Sequence, residues 1–444
     1  MKHEEISRRT FLKILTGAGL TLSPIFFKTG CTSNQNLPNI ILIFTDDQGI
    51  GDVSLYGSDI STPNIDSIGK NGIQFNNFYV TAPVCTPSRY GLLTGRYHYR
   101  IDKAFHAPLM PGKHDDKHLP EEEITIAQLL KQKGYRTALI GKWHLGHGQP
   151  DFGPNKFGFD YFYGFLPGCI DYYLHTYRTQ PALFRNKSLI SEEGFATDLL
   201  TSEAVKFIKK NRNFPFFLYL AYNAPHYGKC PEGNLLQSPP EYPNLPPKSK
   251  NSREVYSAMV ENLDKNIGIV LNTLKDLHLE KNTLVIFLSD NGGDYDYGGS
   301  NHPYRGEKAT LWEGGIKTPC LMQWKGRIAP YQKRDQVCSS LDIFPTLASI
   351  TGSPLPTREL DGRDISAVIF KNQKLPNRYL FFQYRKQMAV RDDRWKYIKD
   401  VDGSEYLFDL VEDPLETQNL IEKNPQKAAE MRTAIEKFIQ IHSL

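Results

Sequence analysis

Cysteine is scarce in this 444-residue chain, with six residues at Cys31, Cys85, Cys169, Cys230, Cys320 and Cys338 and no C-x-x-C pair among them. That excludes a disulfide framework, a zinc ribbon and a thioredoxin-like redox site, and leaves individual thiols free or singly bridged. An extended basic tract is also lacking, and the formal charge is only +4, so nucleic acid is not indicated as a partner. No internal repeat is evident. Hydrophobic residues at 40% and charged residues at 23% are ordinary for a globular protein large enough for more than one domain.

The N-terminus lacks an uninterrupted apolar run long enough to span a bilayer. SRRTFLKILTGAGLTLSPIFF instead has a basic start and a short apolar stretch broken by Gly and Pro, the make-up of a targeting segment. Arg8-Arg9 before Thr10-Phe11-Leu12-Lys13 resembles a twin-arginine export signal, so residues 1–31 are expected to direct the chain to the periplasm or cell envelope. Thr29-Gly30-Cys31 fits a lipoprotein cleavage site with Cys31 as a lipid anchor, although Lys28 stands where such sites usually carry an apolar residue.

Four segments share one pattern, an apolar β-rich run that ends abruptly in polar residues. They are NIILIFTDD (39–47), RTALIGKWH (136–144), PFFLYLAYNAPH (215–226) and TLVIFLSDN (283–291). Continuous rather than alternating apolar residues indicate strands covered on both faces. Helix-like stretches at 122–134 and 198–211 lie between them, so the expected fold class is α/β: a large, mostly parallel central sheet sandwiched by helices. After about residue 375 the pattern shifts to short strands and a polar helix from Pro425 to Ile441, a smaller antiparallel sheet plus helix. The expected domains are a catalytic unit over 37–370 and a C-terminal α+β subdomain over 376–444. The Pro-rich stretch 228–252 reads as a long surface loop.

In open α/β sheets ligands bind beyond the carboxyl ends of the strands, where all four polar clusters fall. Asp46, Asp47, Asp290 and Asn291 are short oxygen donors, a set that suits Ca²⁺ or Mg²⁺ rather than zinc. Taken singly, each pair reads equally well as a turn. Side chains alternate along a strand, so Asp46 and Asp47 converge only if the strand has broken.

VCTPSRYGLLTGR (84–96) predicts a short helix, with Pro87 in its first turn and Gly95 at its end. Cys85 then sits at the helix N-terminus with Arg89 one turn along the same face. A thiol so placed is expected to be acidic and reactive, and the plain alternative is a buried capping cysteine.

Cys85-Thr86-Pro87-Ser88-Arg89 followed by Leu93-Thr94-Gly95-Arg96 resembles the signature of the type I sulfatases of the alkaline phosphatase superfamily. The likeness runs from about Pro38 to beyond Gly362. It takes in Asn39–Asp47, Gly141-Lys142-Trp143-His144-Leu145-Gly146, Ala224-Pro225-His226, Ser289-Asp290-Asn291-Gly292 and the Lys308 segment GEKATLWEGG. The resemblance implies hydrolysis of a sulfate ester. It further implies that a formylglycine-generating maturation enzyme oxidises Cys85 to formylglycine, whose hydrated aldehyde is the nucleophile. Ca²⁺ would be held by Asp46, Asp47, Asp290 and Asn291, with residue 85 beside it. Lys142 and Lys308 would neutralise sulfate oxygens, Arg89 would hold the nucleophile, His226 would protonate the leaving alcohol and His144 would act as base.

GFDYFYGFLPGCIDYYLHT (158–176) and GGSNHPYRGEKATLWEGG (298–315) are similar to the arylsulfatase B type, which implies a sulfated galactose or N-acetylgalactosamine glycan attacked from its end. Tyr172, Tyr173, His175, His302 and Arg305 are the residues expected to line the sugar subsite, packing and surface roles being the alternative. Two rival functions stay open: a phosphonate or phosphate ester hydrolase of the same superfamily, and a glycan-binding protein on an inactive scaffold.

Overall fold

A computed structural model describes residues 37–442. The export and lipidation readings at residues 1–31 lie outside the described residues. No helix among them is long and apolar enough to cross a membrane.

The central sheet has ten strands: β1 (Asn39–Asp46), β2 (Ile73–Phe75), β3 (Arg136–Lys142), β4 (Tyr161–Phe165), β5 (Phe184–Arg185), β6 (Ser188–Leu189), β7 (Phe216–Pro225), β8 (Thr283–Ser289), β9 (Cys320–Gln323) and β10 (Gln332–Arg334). Their order across the sheet is β10-β2-β9-β8-β1-β7-β3-β4-β5-β6. The five central strands β8-β1-β7-β3-β4 are all parallel, and antiparallel pairing begins at β9 on one side and β5 on the other. The four runs picked out by their polar endings are adjacent neighbours in this parallel block.

Alternation along β1 explains its unbroken hydrophobicity. Ile40, Leu42 and Phe44 face one apolar layer, Ile41 and Ile43 the other, and all five are fully buried. The covering helices are α1 (Pro63–Lys70), α2 (Cys85–Thr94), α3 (Ile126–Lys131), α4 (Ala196–Asn211), α5 (Arg253–Asp276) and α6 (Ile343–Thr351). The first layer takes Leu92 and Leu93 of α2, Leu129 and Leu130 of α3, and Phe344 and Leu347 of α6. The second takes Ile65 and Ile68 of α1, Leu200 and Phe207 of α4, and Met259, Leu263 and Ile267 of α5. A strand covered on both faces has no polar side to show, which is why its sequence does not alternate.

A four-stranded antiparallel sheet follows: β11 (Leu380–Tyr384), β12 (Gln387–Arg391), β13 (Trp395–Lys399) and β14 (Glu405–Asp409), in sequential order. One face, with Phe382, Ile398 and Phe408, packs on Tyr79, Leu311 and Trp312 of the larger unit. The other, with Val390, Tyr397 and Leu407, is covered by Ala428, Met431 and Ile435 of helix α7 (Pro425–His442).

The stretch 228–252 is more ordered than its proline content suggests. Gly228–Cys230 and Gly233–Gln237 form an antiparallel hairpin, extended by Lys248–Ser249. Pro231 sits in the hairpin turn and the other prolines follow residue 238, so none interrupts the paired strands' hydrogen bonds. Cys85, Cys169, Cys230, Cys320 and Cys338 are all free and buried.

Candidate active site

Each of the four neighbouring strands releases its functional residues at its carboxyl end. On β1 the pairing with β7 slips between Phe44 and Asp46, and Asp47 turns to φ 59°. This break turns two consecutive carboxylates toward one centre, which a regular strand forbids. Beyond β8, the Asp290 and Asn291 side chains join them. The Asp47 amide donates to Asp290 Oδ1 at 3.1 Å, and Asn291 Nδ2 donates to Asp47 Oδ1 at 2.7 Å.

Helix α2 begins at Cys85 and ends at Gly95, whose φ of 68° closes it in the left-handed region that glycine tolerates best. Arg89 is completely buried and donates through Nη2 to Asp290 Oδ2 at 2.8 Å, with Asp46 Oδ1 at 3.6 Å. Lys142 Nζ donates to Asp46 Oδ2 at 2.6 Å, and Lys308 Nζ to Asp47 Oδ2 at 2.5 Å. His226 Nε2 lies 3.4 Å from the same Asp47 oxygen, and its Nδ1 lies 2.8 Å from the Tyr227 carbonyl. His144 Nε2 meets the Leu109 carbonyl at 2.9 Å. All ten residues expected to carry the chemistry therefore meet at one end of the sheet, arriving from six separate segments.

The donor set accommodates a hard cation. Ligand atoms of Asp46, Cys85 and Asp290 lie within 4.8 Å of one another, as do those of Asp46, Asp47 and His226. Asp46 Oδ1 and Asn291 Oδ1 are buried acceptors with no hydrogen-bond partner among the described residues. Burial holds the Asp46 carboxyl well above its ordinary range, with Asp290 adding to it against Lys142 and Arg89. A divalent cation relieves that crowding and satisfies the two free oxygens. Asp47, although equally buried, is pulled down to about 2 by Lys308 and His226.

The thiol corrects the sequence expectation. Burial pushes Cys85 up to about 11, and Asp46 and Asp290 reinforce it against Lys142. The helix N-terminus and Arg89 do not compensate, because Arg89 is already committed to Asp290 and carboxylates crowd the sulfur. An unmodified cysteine here is a protonated, sluggish nucleophile. Burial likewise drives His144 and His226 well below the ordinary histidine range, so both rings are neutral near pH 7.

The residues expected to bind sugar are more dispersed. Tyr172 is fully buried, its hydroxyl donating to the His226 carbonyl at 2.8 Å and its ring stacked on Phe195 at 4.9 Å. Tyr173 is 40% exposed and donates to the Ser238 carbonyl at 2.6 Å. His175 is buried with Nε2 3.0 Å from the Gly194 carbonyl. His302 is exposed, and the exposed Arg305 lies 3.6 Å above the Trp312 ring with Nη1 donating to the Glu416 carbonyl.

Sequence reasoning missed several supports. Asp52 is buried and accepts from the Gly49 and Ser300 amides, the Tyr256 hydroxyl and Arg253 Nη1, which ties the Asp47 loop to α5. Its place one residue after the Gly49-Ile50-Gly51 turn was the available signal. Thr86 Oγ1 donates to the His144 carbonyl at 3.1 Å, while the Leu109 oxygen that holds His144 is main chain and leaves no trace in the residue pattern.

Residues 38–353 match the family model described as Sulfatase, and 302–442 match N-sulphoglucosamine sulphohydrolase, C-terminal. Among curated proteins, the chain is 34% identical to human steryl-sulfatase over 78% of this chain and 72% of that protein. It is 33% identical to human N-acetylgalactosamine-6-sulfatase over 81% and 71%, and 33% identical to human arylsulfatase A over 86% and 83%. Among solved structures, Ps i-CgsB superposes with a TM-score of 0.83 at 34% identity, covering 90% of this chain and 92% of that one. The same protein has been solved in complex with k-i-k-neocarrahexaose. The chain belongs to the sulfatase family, type I within the alkaline phosphatase superfamily. Its activity is that of a sulfuric ester hydrolase.

Proposed function

We propose that the substrate is a sulfated galactose or N-acetylgalactosamine glycan, attacked from its end, and that the working enzyme carries formylglycine at position 85 and a bound Ca²⁺. The observation that carries this reading is the pairing of Lys142 with Asp46 and Lys308 with Asp47 around Cys85. Three carboxylates, Asp46, Asp47 and Asp290, face three cations, Arg89, Lys142 and Lys308, so the protein groups alone are near neutral. A dication held by Asp46, Asp47, Asp290 and Asn291 gives the site the surplus positive charge that an anionic ester needs, and acts as a Lewis acid on its oxygen. Hydrated formylglycine supplies an oxygen nucleophile and a second hydroxyl through which sulfate is released, which neither a thiol nor a serine offers.

The chain's own residues do the rest. Lys142 and Lys308 hold sulfate oxygens as negative charge grows toward the leaving oxygen, in a site dry enough to strengthen each contact. Arg89 fixes the geometry of residue 85 through Asp290. His226, neutral at rest, takes up a proton from the Lys308 ammonium beside it and passes it to the departing alcohol, and neutral His144 withdraws one from residue 85. Support for a carbohydrate comes from N-acetylgalactosamine-6-sulfatase among the relatives and from the oligosaccharide complex of Ps i-CgsB. The leader-like residues 1–31 support export, with Cys31 as a lipid anchor.

Turnover of a sulfate and a phosphate monoester of one aryl alcohol, followed by a panel of sulfated sugars, tests this reading. Preference for sulfate and for sulfated galactose-type sugars is expected. A large preference for phosphate would overturn it. Mass measurement of the peptide carrying residue 85 is expected to show the aldehyde in protein from a host that has the maturation enzyme.

A further inference from the structure

The imidazole of His226 is the first of a row of side chains leading out of the site. Its ring centroid lies 4.0 Å from that of Tyr227, which lies 4.3 Å from that of Tyr297. The catalytic Lys308 Nζ sits 5.7 Å from the centre of the Tyr227 ring, so this row starts at the bond-breaking centre. The Asn234 side chain stands close enough to the Tyr297 hydroxyl to oppose the upward push that burial gives it. Asn234 Oδ1 in turn accepts from Lys229 Nζ at 2.6 Å, and that ammonium lies 5.7 Å from the ring of Tyr177.

The hairpin after His226 sets this arrangement. Lys229 and Asn234 are directly paired across its two strands. Gly228 and Cys230 are buried, so alternation turns Lys229 to the opposite, solvated side. Burial raises the Cys169 thiol to about 12, and Lys142 and Lys229 both oppose that rise. Lys229 has no carboxylate within 4.0 Å among the described residues, and it donates to a neutral amide.

We infer that Tyr227, Tyr297, Asn234 and Lys229 form the subsite for the alcohol side of the substrate, and that Lys229 recognises a second anionic group, a sulfate or a carboxylate, on the glycan. This rests on the reading of the substrate as a sulfated glycan. Aromatic faces accept the apolar faces of sugar rings, and Asn234 offers an amide to hydroxyls. An uncompensated ammonium at the end of such a ledge is suited to a negative charge set beyond the ester being cleaved.

The test compares kcat/KM for three sugars of equal length: one with a single sulfate, one with a second sulfate, and one in which a uronate supplies the second charge. Lys229→Gln is expected to reduce the preference of the wild type for the doubly charged sugars about tenfold, the worth of one charge-assisted hydrogen bond. Lys229→Arg is expected to retain it. A loss confined to the disulfated or to the uronate sugar identifies which anion is read. A fall shared equally by all three sugars, or no change, overturns the inference. If the wild type cleaves no sulfate ester, the substrate reading itself fails. Calorimetric binding of the same sugars to wild type and Lys229→Gln then decides the ledge on its own, equal affinities counting against it.

Discussion

Lys396 Nζ lies 3.0 Å from Glu313 Oε1 and 2.8 Å from Glu416 Oε1, with all three side chains essentially out of contact with water. Arg391, hydrogen-bonded to the Tyr79 hydroxyl, and Lys317 close the cluster, and Tyr79 donates to Glu313 Oε2 at 2.5 Å. Glu313 is five residues from Lys308, and the amide between them at Leu311 donates to Gln387 of β12. The C-terminal sheet thus fixes the segment that carries Lys308, the lysine proposed to hold a sulfate oxygen. Replacing Lys396 by Met leaves two buried carboxylates short of their shared cation. Breaking such a pair costs about 3–5 kcal/mol, so denaturant titration is expected to show a loss of that order, with kcat falling more than KM rises.

The same cluster sets an acid limit. Although burial opposes it, Lys396, Arg391 and Lys317 hold the Glu313 carboxyl down at about 2 against an ordinary 4.5. A depressed carboxyl adds stability that is fully present above the unfolded value and is lost as pH falls through the folded one. Melting temperature is therefore expected to drop between about pH 4.5 and 2. A Glu313→Gln variant, less stable at neutral pH, should lack that part of the slope. Thermal scans across this window check the sign.

Calcium added to metal-stripped protein is expected to raise the melting temperature, by the equivalent of about 2.7 kcal/mol at a hundredfold excess over its dissociation constant. Asp290→Asn removes one oxygen donor charge and frees Arg89, so the calcium-dependent increment should vanish. An undiminished increment would place the ion elsewhere.

Tyr172→Phe removes only the hydroxyl that donates to the His226 carbonyl. The expected effect is about 0.5–1.5 kcal/mol on kcat, up to tenfold, with KM for a sulfated sugar unchanged. A rise in KM instead would mean that Tyr172 touches the sugar.

Cys85→Ser retains a hydroxyl but loses the route back from a sulfated residue. Steady-state turnover of an aryl sulfate is expected to fall on the order of a thousandfold or more, as when any covalent nucleophile is replaced.

The parallel strands were legible because burial on both faces requires long apolar runs, and 39–47 and 283–291 announce themselves by losing polarity everywhere except at one end. Tyr172 was not, since an aromatic residue that stacks on sugar and one that packs in a core are the same letter in the same kind of sequence. The hairpin at 228–237 was hidden by the prolines that follow it, and the Leu109 oxygen had no letter at all.

By itself the sequence determined the α/β order of elements, the oxygen-donor character of the candidate metal site and the identity of the residues around Cys85, because these depend on local pattern and on residue type. Only the tertiary structure decided which strand ends are neighbours, that Asp46 and Asp47 converge through a broken β1, and that Cys85 is raised to about 11. Register, burial and the charges facing a side chain come from distant segments, 243 residues away for Asp290 and Asp47 and 83 for Lys396 and Glu313. No local window of the chain contains that information.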